Sequence, residues 1–461
     1  MCNSNFHPFL SFFECLFVAK RGFYVRLLES RPDFRTKQDE QKDTHTGRLG
    51  NAAKRSINLS LATRGKIALK RVGLYEELKA KHMIPMPTRT IHSKTKSGFP
   101  HATQPYGIHP GQCLYSVSRQ FMNEYLLANA MAHENVKMSF DAKVAMVNED
   151  ASLTMSYGTG PVIRVPSKFT IGADGAYSAV RDSVVRMARG EVKRLFLDVG
   201  YKEILIPADA NGESPYKGAE YNSLHVWPSD SKHFIVGMPN LDNSWTCTMI
   251  AAYEGEHGFN HISTEEEARA MLEEHFPDVL AITPDAPAQF LRNPSSPLMS
   301  VWLTPYNFNG KVLCMGDAAH AVTPFFGQGM NSSFEDACLL DELFDEFNND
   351  VEKAFNAFTT RRNASGHALT DLCIAHGKEL GEETASAYWL LKRKIGRGLN
   401  AMVPSIWKPF MTQVAFSRTP YDEAVRLKHK QEKILDVSLI GLFLAGLGGA
   451  AYGAGLLPSS L

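Results

Sequence analysis

The chain has 461 residues, 44% of them hydrophobic and 21% charged, and this length predicts two domains with appendages rather than one simple core. Lys plus Arg and Asp plus Glu stand at 49 each, so there is no basic field to hold a nucleic acid. The seven cysteines are odd in number, scattered and without a CxxC pair, which argues against a disulfide framework and a zinc site and fits a reducing compartment.

In chain order, Phe6–Ala19 is apolar, but its basic pair Lys20-Arg21 follows the run, the reverse of a secretory signal. Tyr24–Leu28 reads as a short strand ending in Glu29, and residues 35–55 are polar and predict a loop. The period of Ser56–Leu74 predicts a helix with Leu61, Ile67, Ala68 and Leu74 facing inward. Residues 94–112, rich in Gly, Pro and His, predict a loop or hairpin, and Gln120–His133 predicts a second amphipathic helix. Val136–Phe140 and Val144–Asn148 alternate as strands do. Phe169–Ala176 reads as a strand running into a turn at Asp174-Gly175. From about 195 to 255, strand-like segments separated by Pro and Gly turns predict an antiparallel sheet, hence a second domain. Thr264–His275 predicts a helix, Gly310–Met315 a buried strand, and 333–430 a mostly helical region.

The run that carries chemistry is Gly316-Asp317-Ala318-Ala319-His320, continuing through Pro324 to Gly327-Gln328-Gly329-Met330-Asn331. A strand ends in a tight turn that delivers an aspartate, a Pro- and Gly-rich loop follows, and a helix starts near Asn331 with Glu335 and Asp336 in its first turns. Such an arrangement suits a flavin nucleotide. Asp317 can accept a hydrogen bond from a ribityl hydroxyl, and Gly327 and Gly329 let backbone lie against the ring. The helix N-terminus directs its free N–H groups at the ring oxygen where negative charge grows on reduction. A generic strand–turn–helix with a capping aspartate is the alternative.

This run resembles the GD motif of the flavin-dependent aromatic hydroxylases. The second motif of those enzymes, the DG motif, is similar to Gly172–Arg181, whose Asp174 the resemblance assigns to flavin and pyridine-nucleotide binding. The resemblance narrows to the kynurenine 3-monooxygenase family through Arg55–Leu61, Tyr115–Arg119, Leu224–Pro228 and Pro324–Asn331, and it runs from about residue 18 to about residue 433. It implies FAD and NADPH as cofactors, dioxygen as co-substrate and L-kynurenine as the aromatic amino-acid substrate, hydroxylated to 3-hydroxykynurenine. It places Arg119, Gln328, Gly329, Met330 and Asn331 around the flavin, Val144 near the adenine end, and Arg89 and Tyr106 on the substrate carboxylate. A guanidinium with a phenol hydroxyl is a sound carboxylate site. No catalytic acid or base is assigned, because the aniline nitrogen already activates the ring. His320 and His376 read as structural or pocket residues. Two rival readings stay open: a hydroxylase of another anionic aromatic, and a membrane-anchored, flavin-less relative acting as a binding protein.

The sequence departs from the family pattern twice. Glu29, with Arg31 nearby, stands where an acid holds the adenosine ribose, yet the first glycine is Gly22. Where GxGxxG should open the first helix the chain reads MCNSNFHPFLSFF, whose side chains block the close approach of a pyrophosphate. Two further substrate positions, usually Asn and Tyr, are here His376 and Met411.

The fold class expected is α/β, a Rossmann-like FAD-binding domain with an inserted antiparallel-sheet substrate domain, C-terminal helices and a C-terminal transmembrane helix. The FAD-binding domain is expected to comprise 1–85, 113–190 and 301–345. A substrate-domain hairpin at 86–112 joins the sheet of 191–300, and helices fill 346–433. The uncharged run 437–457 follows Arg426, Lys428, His429, Lys430 and Lys433, and predicts a membrane anchor. With the resemblance, this implies the mitochondrial outer membrane, the folded part facing the cytosol.

Overall fold

A computed structural model describes residues 9–33, 35, 58–92, 102–107, 109, 111–218, 220–230, 232–382 and 387–453. The loop expected at 35–55 and most of 94–112 lie outside these. Helix α1 (Phe9–Lys20) is apolar on nearly every side, and it is buried accordingly, with Phe12, Phe13, Cys15 and Leu16 in the core. It leads into β1 (Val25–Leu28). Strand β2 (Asn58–Leu61) is followed by α2 (Thr63–Arg71), α3 (Tyr75–Lys81), β3 (Ile84–Met86), β4 (Thr88–Ile91), β5 (Ala102–Pro105) and β6 (Leu114–Ser118). Next come α4 (Arg119–Met131), β7 (Val136–Ser139), β8 (Ala142–Val147), β9 (Leu153–Tyr157), β10 (Ile163–Val165) and β11 (Thr170–Gly172). Ser118 caps α4 by accepting the Phe121 N–H.

The expected helix over Ser56–Leu74 is half wrong. Asn58–Leu61 is a strand, and helix begins only at Thr63. Long-range bonds override the local period. Asn58 Nδ2 donates to Ser116 Oγ, to the Pro239 carbonyl and to Asn240 Oδ1, which holds β2 antiparallel to β6.

The second half opens with α5 (Ala179–Ala188), β12 (Glu191–Ile206), β13 (Ser223–Pro228), β14 (Phe234–Pro239) and β15 (Trp245–Ala252). Helices α6 (Glu265–His275), α7 (Pro277–Ile282) and α8 (Ala286–Arg292) follow, then β16 (Ser296–Thr304), β17 (Asn307–Phe308) and β18 (Val312–Cys314). Helix α6 starts at a capping box between Thr264 and Glu267. The chain closes with α9 (Asp317–His320), α10 (Gly329–Glu346), α11 (Val351–Glu382), α12 (Ala387–Met402), α13 (Phe410–Phe416) and α14 (Tyr421–Gly453).

Parallel pairing joins β1 to β7 and β11 to β18, the pairings of a nucleotide-binding layer. A seven-stranded sheet forms the second layer, in the order β16-β12-β15-β14-β13-β4-β5. It is antiparallel except where β13 runs parallel to β4, with Leu224 beside Arg89. Its outer face carries Trp227, Ile235, Trp245, Cys247 and Met249, covered by α6, α7 and α8. His92 lies on this face, stacked on Trp227 at 4.2 Å and 2.9 Å from Asp278. The inner face carries Leu224, Val226, Phe234, Met238 and Ile250.

The expected transmembrane helix is corrected by the structure. Among the described residues, no helix is long and apolar enough to cross a membrane. The run from Val437 continues α14, whose first half carries Arg426, Lys428, Lys430 and Lys433. Its uncharged described part, 437–453, is shorter than the ~20 apolar residues a bilayer core requires. Residues 454–461 lie outside the described residues.

A buried ionic chain locks these parts together. Arg362 of α11 donates to Asp336 Oδ1 at 2.6 Å and to Glu335 Oε2 at 2.8 Å, both on α10. Glu335 also accepts from Arg64 Nε of α2 at 2.9 Å, and Arg64 donates to the Val414 and Thr419 carbonyls. The Tyr421 ring lies 4.1 Å from the Arg64 guanidinium carbon. Arg362→Ala leaves two buried carboxylates short of a counter-charge, so a loss of about 3–5 kcal/mol is expected. Chemical denaturation of the variant beside the parent checks this, and an unchanged midpoint would refute it.

Candidate active site

The turn after β18 is the centre of the site. Gly316 holds φ at +55°, a conformation that favours glycine, and its N–H donates to Asp336 Oδ2 at 2.9 Å. His320 Nε2 lies 2.7 Å from the same oxygen. The carboxylate of α10 therefore shapes the turn that presents Asp317. Burial would raise the Asp336 carboxyl, but His320 and Arg362 outweigh it and hold the group below its ordinary range. Burial raises Asp317 above its ordinary range, against the pull of His320 and Arg119. Among the described residues, Asp317 has no hydrogen-bond or ion-pair partner.

Arg119, at the start of α4, is 7% exposed. Burial lowers its guanidinium below the ordinary value, while Tyr201, Asp317 and Glu203 draw it the other way. It thus stands between the turn and the inner face of the large sheet. Arg181 bolts the two motif segments together, donating to the Ala318 carbonyl at 3.2 Å and the Ala176 carbonyl at 2.8 Å.

The inner face contributes Arg89 and Tyr106. Arg89 pairs with Gln104 across β4 and β5, and the Tyr106 N–H bonds the Pro87 carbonyl, so both side chains share one face. Opposite lies the turn Pro324–Phe326, with Phe325 edge-on to Phe234 at 5.5 Å. His376 of α11 packs on Phe326 at 4.3 Å, and Met411 of α13 joins the same cluster. The structure therefore brings His376 and Met411 together around Phe326.

Other expected site residues are engaged within the protein. Asn331 is fully buried: Oδ1 accepts from the Ala62 N–H at 2.7 Å, and Nδ2 donates to the Ser60 and Gly327 carbonyls at 2.8 and 2.9 Å. Gln328 Oε1 accepts from the Tyr421 hydroxyl at 3.2 Å, Gly329 opens α10, and Met330 lies in the core with Leu61 and Phe334. Asp174 accepts from the Ser178 hydroxyl and from the Ala179 and Val180 N–H groups at 2.8 and 3.1 Å, which caps α5. Glu29 accepts from the Arg31 backbone and from Arg31 Nε, each at 2.9 Å. Val144 sits half-buried on β8 at an irregularity in its pairing with β9.

With this geometry in view, residues 62–372 match the family described as FAD binding domain. Kynurenine 3-monooxygenase of Flavobacterium psychrophilum is 34% identical over 91% of this chain and 89% of its own. That of Sus scrofa is 35% identical over 92% and 85% respectively, and that of Caenorhabditis elegans 32% over 95% and 94%. This chain belongs to the kynurenine 3-monooxygenase family. Among solved structures, Klebsiella pneumoniae HpxO complexed with FAD and uric acid superposes at a TM-score of 0.63 with 15% identity, covering 85% of this chain and 91% of that one. A 2-methyl-3-hydroxypyridine-5-carboxylic acid oxygenase superposes at 0.62 with 19% identity, covering 82% and 91%. These two likenesses establish the fold alone.

The residues fit the flavin of this family unevenly. The ribityl and ring end fits: half-buried Asp317 has no partner among the described residues, and the buried Arg119 charge lies beside it. The pyrophosphate end is filled by protein. Leu10 of α1 packs onto the Gly316 turn, and a Cβ on Gly316 would lie 2.0 Å from Leu10 Cδ2. Ser11 Oγ donates to the Ala173 carbonyl beside it at 3.2 Å.

Sequence reasoning named Glu335 and Asp336 only as residues near a helix start and Arg181 only as the end of the DG motif, and it missed Arg64 and Arg362. Two adjacent acids, Glu335-Asp336, as the only charges between Gly329 and Leu340 were the available signal, since such acids are buried only when paired.

Two outcomes follow for this site. Asp336, with its folded value depressed, contributes stability that is present above its unfolded pKa of about 3.9 and lost as pH falls through the folded value. Asp336→Asn should flatten the acid limb of a stability-versus-pH curve, and an unaltered limb would remove Asp336 from the argument. Leu10→Ala should weaken the apo fold by about 2–5 kcal/mol and yet tighten flavin binding. Fluorescence titration with FAD reads the second effect, and unchanged or weaker binding contradicts it.

Proposed function

We propose that this chain is an FAD- and NADPH-dependent monooxygenase that hydroxylates L-kynurenine to 3-hydroxykynurenine. The observation that carries the reading is identity of 31–35% to curated kynurenine 3-monooxygenases over about nine-tenths of the chain. The local chemistry agrees with it. Arg89 and Tyr106 share the inner sheet face, where a guanidinium and a phenol can take the carboxylate of an amino-acid tail. The aromatic ring of the substrate then lies toward Phe325 and Phe326, whose apolar surface excludes water. His376 and Met411 border the same apolar cluster and shape its far wall.

Asp317 is placed to accept a ribityl hydroxyl, and the start of α10 at Gln328 and Gly329 faces its N–H groups toward the ring, with Met330 and Asn331 fixing that turn from within. Arg119 would hold a positive charge beside the bound ring. Glu29 and Arg31 are assigned to the adenosine ribose, Val144 to the adenine end, and Asp174 to the nucleotide side of the same cleft. When bound, FAD would supply the redox and oxygen-activating chemistry. The protein positions the substrate ring and keeps water out; it needs no acid–base dyad.

Arg89→Ala removes charge-assisted bonds worth about 1.5–3 kcal/mol, so kcat/KM for kynurenine should fall roughly 10- to 100-fold, mainly through KM. Kynurenine-stimulated NADPH oxidation measures this. Stimulation by a different aromatic acid and none by kynurenine would overturn the substrate assignment.

A further inference from the structure

Away from the site, on the outer face of the large sheet, three histidines and two acids converge where α6 ends. His275, the last residue of α6, is 7% exposed. Its Nε2 lies 2.9 Å from His257 Nδ1 and 3.9 Å from a Glu274 carboxylate oxygen, and His257 Nδ1 lies 3.7 Å from the other Glu274 oxygen. We propose that His257, Glu274 and His275 form a binding site for a transition-metal dication of the zinc class.

The ligand spacing carries the first part of the argument. Zinc binds imidazole nitrogen and carboxylate oxygen at about 2.0–2.2 Å, so two ligand atoms on one tetrahedral ion stand about 3.4 Å apart. The His257 Nδ1–His275 Nε2 and His257 Nδ1–Glu274 Oε2 separations of 2.9 and 3.7 Å bracket that value, and the other Glu274 oxygen lies 3.9 Å from His275 Nε2, so a rotation of the exposed Glu274 carboxylate brings one oxygen to both rings. The set is two imidazoles and one carboxylate, a donor set for zinc-like ions rather than for calcium or magnesium.

The orientation of His275 carries the second part. Its Nδ1 lies 2.7 Å from Ser229 Oγ, which can accept the ring N–H. With Asp230 Oδ2 also 3.7 Å from Nδ1, this side of the ring favours N–H at Nδ1 and turns Nε2 into the cluster, where it is hydrogen-bonded to His257 Nδ1 until an ion takes the place of the shared proton. His257 meets His275 edge to face, at an interplanar angle of 89°, so the two nitrogens approach from different directions. The cluster also sits at the C-terminus of α6, where the helix dipole favours positive charge. His257 and Glu274 leave one side open to solvent, which gives a water the remaining position.

A neighbouring group, Asp230, His233 and His275, is held differently. Asp230 Oδ1 accepts the Lys232 and His233 N–H groups at 2.8 and 2.9 Å, both its oxygens face His233 Nδ1 at 3.0 Å, and its Oδ2 meets His275 only at 3.7 Å from Nδ1, the nitrogen already on Ser229. Its two imidazoles stack at 4.4 Å and an angle of 18°. The ion therefore belongs to the His257 side. There it pins the 253–261 loop to α6 on the sheet face opposite Arg89. This inference is independent of the proposed substrate.

The test uses the full chain, stripped with a chelator and titrated with Zn²⁺ against a chromophoric competitor, and separately with Co²⁺. One equivalent of Zn²⁺ should bind, the melting temperature should rise, and Co²⁺ should give visible bands without thiolate charge transfer. His257→Ala and Glu274→Gln should each weaken Zn²⁺ binding at least tenfold. His233→Ala should leave it unchanged. Absence of stoichiometric binding overturns the proposal, as does equal binding by His257→Ala and the parent. Loss with His233→Ala but not with His257→Ala moves the ion to the other group and refutes this assignment. Glu274→Gln changes an exposed residue, so its effect is readable even if His257→Ala disturbs the loop.

Discussion

The pairing of Arg362 with Asp336 and Glu335 is the constraint on which the site depends. These groups are 4%, 0% and 7% exposed, so none of the charges can be left to water. Asp336 cannot shift without releasing the Gly316 N–H and His320, and Glu335 cannot shift without releasing Arg64. One pair of adjacent acids thereby fixes the turn that presents Asp317 on one side and the α2 and α14 segments on the other. Replacing such a cluster with apolar groups is often neutral for stability, but it would not hold a strained turn in place. The network earns its interest through the geometry it imposes rather than through net free energy.

Much of this was legible in the sequence. The GD segment announced itself because its constraints are local: a strand, a glycine, an acid and a helix start within about twenty residues. The antiparallel sheet announced itself through strand-like segments separated by Pro and Gly turns, and the helix expected at Thr264–His275 is α6. What failed had long-range causes. Asn58–Leu61 carries a helical period and becomes a strand because Asn58 finds partners on β6 and after β14. Asn331 is not such a failure: its side-chain amide holds the backbone at Ala62, Ser60 and Gly327, and its place beside the flavin ring is a proposal. The C-terminal apolar run was read as an anchor, whereas the described helix begins in a charged segment and offers no span of sufficient length.

The flavin end of the site has a divided character. Asp317 and Arg119 are desolvated and poised, as a preorganised polar site should be. A few ångströms along, the same turn is closed by the Leu10 side chain. Surface that contributes to the core is then the surface a dinucleotide would have to contact. By linkage, whatever strengthens the α1 contact weakens loading of the cofactor, and the reverse.

The large sheet has a consequence of a different kind. Both faces of β4 and β13 are committed, one to Arg89, Leu224 and Val226, the other to Thr90, His92 and Trp227. Side chains alternate across a strand, so a slip of a single residue would send Arg89 into the tryptophan layer and His92 to the inner face. The aromatic stack of His92 on Trp227 and the contact with Asp278 forbid that slip. The register of the guanidinium is therefore set from the far side of the sheet, by residues that never meet a substrate.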